Sequence, residues 1–275
     1  MLKDQLNSAT PSVMGILNVT PDSFSDGGRF VHRDAAMRQV RAILHDGADI
    51  IDIGGESTRP GAKAVSVADE IARVVPVIEA IREMSDVPIS VDTSKAEVMR
   101  AAIGAGADMV NDVRALQDEG ALAAAAALQK PVCLMHMQGQ PRTMQENPSY
   151  EDVTAEVGEF LQQRIAACVA AGLPEDLIVV DPGFGFGKSH AHNVELLANL
   201  RQLQALKRPI LVGLSRKSTL GALTGRDTDD RVAASVAAAV LAVERGARIV
   251  RAHDVAETVD ALKITAAVTN TRLGE

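Results

Sequence analysis

The sequence predicts an α/β protein, a single (β/α)8 TIM barrel over residues 1–275 with long loops after its first and second strands. Three observations carry that expectation. Eight short apolar runs recur along the chain, separated by segments long enough for one amphipathic helix each. Such alternation forms a parallel sheet, and eight units in roughly 250 residues suit a closed barrel. Each run ends in a polar or charged cluster, and a barrel of this type carries its chemistry at the C-terminal strand ends. Finally, hydrophobic residues make up 47% of the chain but aromatics only 2%, with no Trp. The core must then be Val, Ile, Leu, Ala and Met, and branched aliphatics fill a small barrel interior well.

The elements follow in order. VMGIL marks a strand at 12–17 that ends at Asn18, and a helix follows at 33–46. DIIDIGG marks 49–53, ends in Glu56-Ser57-Thr58-Arg59, and precedes a helix at 69–84. VPISV marks 88–92 and stops at Asp92; Ser94 with Glu97 three residues on is a capping-box signature for a helix at 95–104. DMV, in a strand at 108–111, reaches Asn111 before a helix at 118–128. PVCLM marks 131–135, ends at His136, and leads to a helix at 150–171. There Val153, Val157, Phe160, Leu161, Ile165, Cys168 and Val169 make one stripe at the helical period. LIVV marks 177–180 and ends at Asp181 before a helix at 190–205. PILVGL gives 210–213, ending in Ser215-Arg216-Lys217 before a helix at 228–245. ARIV gives 248–251, ending in Arg251 and His253 before a helix at 254–267. Gly47, Gly106, Gly172 and Gly246 stand between helix and strand, where left-handed caps belong.

Bulk properties exclude several function classes. The formal net charge of −8 repels nucleic acid and anionic membranes, so an anionic substrate needs a local cationic patch. The opening MLKDQLNSATPS lacks the apolar region of a signal peptide, and the longest apolar stretches fall short of a membrane span. Cys133 sits in a predicted strand and Cys168 on an apolar helix face, which reads as two reduced core thiols in a cytoplasmic protein.

The strand ends supply two chemical sets. Asp92, Asn111 and Asp181 end three different strands, and with Lys217 they offer acceptors and donors in one plane at the barrel mouth. Carboxylates accept from ring N–H and exocyclic amino groups while Asn and Lys bond ring nitrogens and oxygens, so the set suits a flat nitrogen heterocycle. The competing reading is a series of helix N-caps. Arg59, Arg216, Lys217, Arg251 and His253 form a cationic set suited to phosphate, unless they merely pair with Glu56, Asp92 or Asp181. His136 reads as a satisfied structural histidine. The segment 181–188, DPGFGFGK, is no Walker loop, because Pro182 stands where its first glycine belongs. Its turn is expected to lay Phe184 or Phe186 over a flat ligand. Gly213-Leu214-Ser215 lacks the closing glycine of a nucleophile elbow, and no His/Cys cluster has zinc spacing. The loops 18–32 and 54–68 are long enough to act as lids.

Together these motifs closely resemble the dihydropteroate synthases. The match runs almost end to end: GILNVTPDSFSDGG (15–28), DIGGESTRPGA (52–62), SVDTSK (90–95), NDVRAL (111–116), HMQGQPRTMQ (136–145), DPGFGFGK (181–188), GLSRKS (213–218) and RAHDV (251–255). Ala252 departs from the usual valine of the last motif. The resemblance implies a transferase that condenses 6-hydroxymethyl-7,8-dihydropterin pyrophosphate with p-aminobenzoate, giving 7,8-dihydropteroate and pyrophosphate with Mg2+. It implies pterin contacts from Asp92, Asn111, Met135, Asp181, Phe186 and Lys217. Asn18, Thr58, Arg251 and His253 would bind pyrophosphate, with Asn18 also a Mg2+ ligand. Phe24, Thr58, Arg59, Pro60, Ser215 and Lys217 would surround p-aminobenzoate, and Asp26 (or Asp22) would stabilise a cationic methylene. A homodimer is the expected assembly. Three competing readings are a pterin-binding methyltransferase, a Schiff-base aldolase using Lys217, and a non-catalytic binding paralogue.

Overall fold

The computed structural model describes residue 2 and residues 10–20, 29–57, 64–139 and 143–272. Eight parallel strands close into a barrel in chain order: β1 (Ser12–Asn18), β2 (Ile50–Gly54), β3 (Ile89–Asp92), β4 (Met109–Asp112), β5 (Val132–Met135), β6 (Ile178–Asp181), β7 (Ile210–Val212) and β8 (Ala247–Ala252). Closure is made by β8 lying beside β1, with Met14 in register with Arg251. The outer ring is α1 (Arg29–His45), α2 (Val67–Arg82), α3 (Ala96–Gly104), α4 (Ala121–Leu128), α5 (Val153–Ala170), α6 (His190–Ala198), α7 (Ser218–Thr224), α8 (Val232–Glu244) and α9 (Val255–Arg272). The predicted fold class is observed.

Strand periodicity explains why this barrel has a site at one end. Side chains alternate across a strand, so residues i and i+2 share a face. Met14, Ile50, Met109, Cys133, Val179, Leu211 and Ile249 fill the interior as one buried layer, joined by Leu2. Two residues further along, the same inward face carries Asp52, Asn111, Met135, Asp181 and Arg251. The outward faces are mostly apolar: Leu17, Ile51, Ile53, Ile89, Val91, Val110 and Val180 pack under the helices as the main core. The two cysteines are free and buried, as expected of core thiols.

Local sequence chemistry starts and stops the elements, with some departures from expectation. Gly47, Gly106, Gly172 and Gly246 all take positive φ after a helix, as predicted. Ser66 caps α2 by accepting from Asp69 N, and Asp152 caps α5 by accepting from Thr154 N and Ala155 N. The Ser94–Glu97 capping box does not form: the N-cap is Lys95 without a side-chain bond, and the Ser94 hydroxyl donates to Asp112 instead. A capping box stands rather at Ser189 and His192, opening α6. The helix expected over 190–205 breaks at Asn199 into a 3-10 turn at Leu200–Leu206, and α7 is an unpredicted short helix after β7. On α5 the predicted stripe is buried except for Phe160, which is partly buried, and Val169, which is exposed. Helix α1 begins at Arg29, which shortens the first loop to 19–28.

Asp112 shows how tightly the strand ends are built. It is fully buried and accepts from Ser94 Oγ, Arg114 N at 2.8 Å and Leu116 N at 2.7 Å. These bonds hold Ala115 and Leu116 at φ 51° and 59°, and Arg164 of α5 donates to both their carbonyls. Orphaned buried donors cost about 1–3 kcal/mol each, so Asp112→Ala should lose about 3 kcal/mol of stability. Urea unfolding would measure this, and an unchanged midpoint would contradict it.

Candidate active site

The C-terminal mouth gathers three of the predicted side chains, Asp92, Asn111 and Arg251, around one that sequence reading missed. Asp52 lies at the centre of β2, wholly buried, and its Oδ2 accepts from Arg251 Nε at 2.6 Å and from Asn111 Nδ2 at 3.2 Å. Arg251 reaches on with Nη2 to Asp92 Oδ2 at 3.1 Å, so one guanidinium bridges carboxylates on β2 and β3. Its Nη1 makes no hydrogen bond among the described residues. Burial and the neighbouring Asp52 charge push the Asp92 carboxyl up to about 7, against the pull of Arg251. A carboxyl poised there can accept from a ligand N–H at neutral pH and loses that ability below it.

Opposite this pair, Asp181 ends β6, buried, with Oδ1 accepting from Gly183 N at 2.7 Å. Burial raises its pKa, while Lys217, Lys188 and Arg251 favour its charge. Lys217 lies at the exit of β7, half-buried, its Nζ donating to the Phe184 carbonyl and standing 4.3 Å from the Phe186 ring centroid. Burial brings its ammonium down to about 8, opposed by Asp181. Met135 is buried at the end of β5, beside Asp181 in register. Of the two phenylalanines of the 181–188 segment, Phe184 is fully buried and Phe186 is half-buried beside Lys217, so Phe186 is the one offered to a flat ligand. None of Asp92, Asn111 or Asp181 is a helix N-cap, which removes the competing reading.

The remaining expectations divide. Asn18 ends β1, half-buried, across Gly54 from Asp92: a Cβ added to Gly54 would lie 3.7 Å from Asn18 Oδ1 and 3.8 Å from Asp92 Oδ2. His253 is exposed at the exit of β8, its Nδ1 3.1 Å from Ser215 Oγ, and the same hydroxyl accepts from His253 N. Arg216 is corrected. It turns away at φ 59° and pairs with Asp254 and Asp229, so it supports the fold rather than a ligand. His136 is the satisfied structural histidine expected, buried edge-on to Phe160 and bonded to Lys188. Phe24, Asp22, Asp26, Thr58, Arg59 and Pro60 lie outside the described residues. The described ends of the second loop are anchored: Lys95 Nζ sits 2.5 Å from both Glu56 and Glu70, Glu56 holds Val65 N, and Arg73 holds the Gly55 carbonyl.

Asp52 was legible in principle. A carboxylate inside an apolar strand, two residues before another strand-end position, must point inward and be paired. Apolar neighbours on both sides hid it.

The family profile described as pterin binding enzyme matches residues 14–253. The chain belongs to the pterin-binding enzyme family. Within that family its relatives are dihydropteroate synthases. That of Haemophilus influenzae is 54% identical over 265 residues, covering 96% of each chain. Among solved structures, the Yersinia pestis dihydropteroate synthase in a sulfonamide drug complex superposes with a TM-score of 0.91 at 52% identity, over 97% of this chain and 96% of that one. The Xanthomonas albilineans dihydropteroate synthase with 4-aminobenzoic acid gives 0.90 at 55% identity, over 94% and 93%. Against a pterin, the mouth presents acceptors at Asp92 and Asp181, a donor and an acceptor at Asn111, and a donor at Lys217.

The Asp52 charge raises the proton affinity of Asp92. Asp52→Asn should therefore move the acid limb of pterin affinity to lower pH. Calorimetric titrations across pH would show this, and a limb that stays in place would contradict the coupling.

Proposed function

We propose that the chain works as a dihydropteroate synthase, a transferase of folate biosynthesis. It condenses 6-hydroxymethyl-7,8-dihydropterin pyrophosphate with p-aminobenzoate to give 7,8-dihydropteroate and pyrophosphate. The observation that carries this reading is the gathering, at one barrel mouth, of donors and acceptors with a cation, Arg251, whose Nη1 has no hydrogen-bond partner among the described residues. Asp92, Asn111, Asp181 and Lys217 bind the pterin edge, and Met135 and Phe186 pack on its faces. Arg251, His253, Asn18 and Thr58 take the pyrophosphate.

The charges set the order of events. Cations at Arg251 and His253 stabilise negative charge as it gathers on the departing pyrophosphate. The methylene C–O bond breaks with its electron pair leaving on pyrophosphate, and the pterin ring delocalises the positive charge left behind. Asp26 (or Asp22) of the first loop stabilises that cation. Phe24, Thr58, Arg59, Pro60 and Ser215 surround p-aminobenzoate, and closure of the first two loops over the site excludes water. The aniline nitrogen then attacks, forming the N–C bond and giving its proton to solvent.

A Mg2+ ion fits this site in one way. No group of three or more His, Cys, Asp or Glu among the described residues is placed to hold it. The amide oxygen of Asn18, half-buried opposite Asp92, is a hard ligand suited to an ion that takes its other ligands from pyrophosphate and water. When bound, the ion would supply further charge neutralisation at the leaving group. The chain acts as a homodimer in the cytoplasm. In support, Leu223, Leu241, Ile264 and Val268 are exposed on α7, α8 and α9, and no helix among the described residues is long and apolar enough to cross a membrane.

Incubation with dihydropterin pyrophosphate and Mg2+ should yield dihydropteroate only when p-aminobenzoate is added. Bound pterin without product would favour a methyltransferase or a silent binding paralogue. Asp181→Ala should weaken pterin binding more than Arg59→Ala does. Equal pterin dissociation constants for the two variants in calorimetry would sink the assignment of Asp181.

A further inference from the structure

Lys188, which ends the glycine-rich segment and has no part in the chemistry above, is 2% exposed and packed against the 183–187 turn. Its Nζ lies 2.9 Å from His136 Nδ1, 2.9 Å from the Gly183 carbonyl and 3.1 Å from the Phe186 carbonyl. Three donors of one ammonium thus meet three acceptors, the full complement a lysine can satisfy. Burial of a lysine without a carboxylate in contact is costly and needs a reason.

The turn it holds cannot be held by packing alone. Gly183, Gly185 and Gly187 all have positive φ, and a Cβ at Gly183 or Gly187 would lie 1.8 or 2.2 Å from the carbonyls of His136 and Gln138. The turn is therefore pressed flat against the chain leaving β5. Every carbonyl from 183 to 187 is fixed: 183 and 186 by Lys188, 184 by Lys217, 185 by Gln145 and 187 by Tyr150 at 2.8 Å. Phe186 and the amide that bonds Asp181 sit on this turn.

We propose that Lys188 is a positioning residue of the pterin pocket. Its buried ammonium pins the 183–187 turn from below, so that Phe186 stands at the pterin face and Asp181 is kept as an acceptor at the pterin edge. This rests on the pterin-binding reading. The charged groups facing Asp181 are Lys188, Lys217 at the exit of β7 and Arg251 at the exit of β8. Those facing Lys188 are Asp181 and Lys217, which together with burial leave its ammonium at about 7. His136 beside it is neutral, pulled down to about 3 by burial and by Lys188 itself.

The test is Lys188→Gln, which keeps a donor and removes the charge. Calorimetry with 6-hydroxymethyl-7,8-dihydropterin should show about tenfold weaker binding, while the KM for p-aminobenzoate changes by less than about threefold. The acid limb of pterin affinity is set by both carboxylates, since Asp92 and Asp181 must each be ionised to accept. With a cation gone from beside Asp181, its carboxyl holds a proton to higher pH, and the limb should move to higher pH, opposite to the shift expected of Asp52→Asn. A folded variant with an unmoved limb, or with both substrates weakened alike, overturns the proposal. Should Lys188→Gln fail to fold by circular dichroism, Tyr150→Phe releases only the Gly187 carbonyl. It should weaken pterin binding about threefold with the limb in place, and an unchanged dissociation constant would overturn the proposal. Failure of the unmodified protein to bind the dihydropterin would instead overturn the pterin reading itself.

Discussion

The guanidinium of Arg251, forked between Asp52 and Asp92, is the interaction on which the mouth of this barrel depends. Two carboxylates on adjacent strands would repel, and burial adds to the cost of ionising both. One cation from β8 makes the pair tolerable and ties β8 to β2 and β3 across β1, where the barrel closes. The same carboxylate, Asp52, fixes the amide of Asn111 on β4. A single charge pattern therefore orients residues on four strands. The opposite wall works by the reverse arrangement, one carboxylate at Asp181 among the cations Lys217 and Lys188. The site is thus made of two half-compensated charge clusters facing one another, each open to a ligand group that completes it.

The rim of the barrel is held rigid in the same way. Strand-end residues are held by bonds to backbone and to each other, as with Asp112 in the turn after β4 and Asp181 in the turn after β6. Ser215 ties the exits of β7 and β8 together through His253. The second loop is anchored at its ends by Lys95 and Arg73, close to the barrel rim. Such an arrangement fixes the strand-end side chains at the mouth before any ligand arrives, which is what preorganised binding requires.

Much of this was legible in the residues. The alternation of strand and helix patterns gave the barrel, because each half-buried element must find a partner and eight such units close on themselves. The polar strand ends marked the mouth, and Asp92, Asn111, Asp181 and Lys217 were readable as one set from their common topological place. What escaped depended on contacts between distant segments. The Ser94 hydroxyl abandoned its own helix for a buried Asp112 that a local motif does not reveal. Arg216 and Lys217 are neighbours in sequence, yet a positive φ at Arg216 sends one to Asp254 and leaves the other facing the pocket. Asp52 looked like part of an apolar run, and Lys188 like the tail of a phosphate loop that was not one. In each case a charged group found its partner on another element, 18 or more residues away.

The most direct test of two half-compensated clusters is proton exchange on binding. In the proposed pterin site Asp92, held at about 7, gives up its proton to accept from the ligand. Calorimetry with 6-hydroxymethyl-7,8-dihydropterin, which carries no titrating phosphate, would be run at about pH 6.5 in buffers of different ionisation enthalpy. Release of a large part of one proton per pterin bound is the result predicted. Binding of equal strength with no net proton released would contradict it.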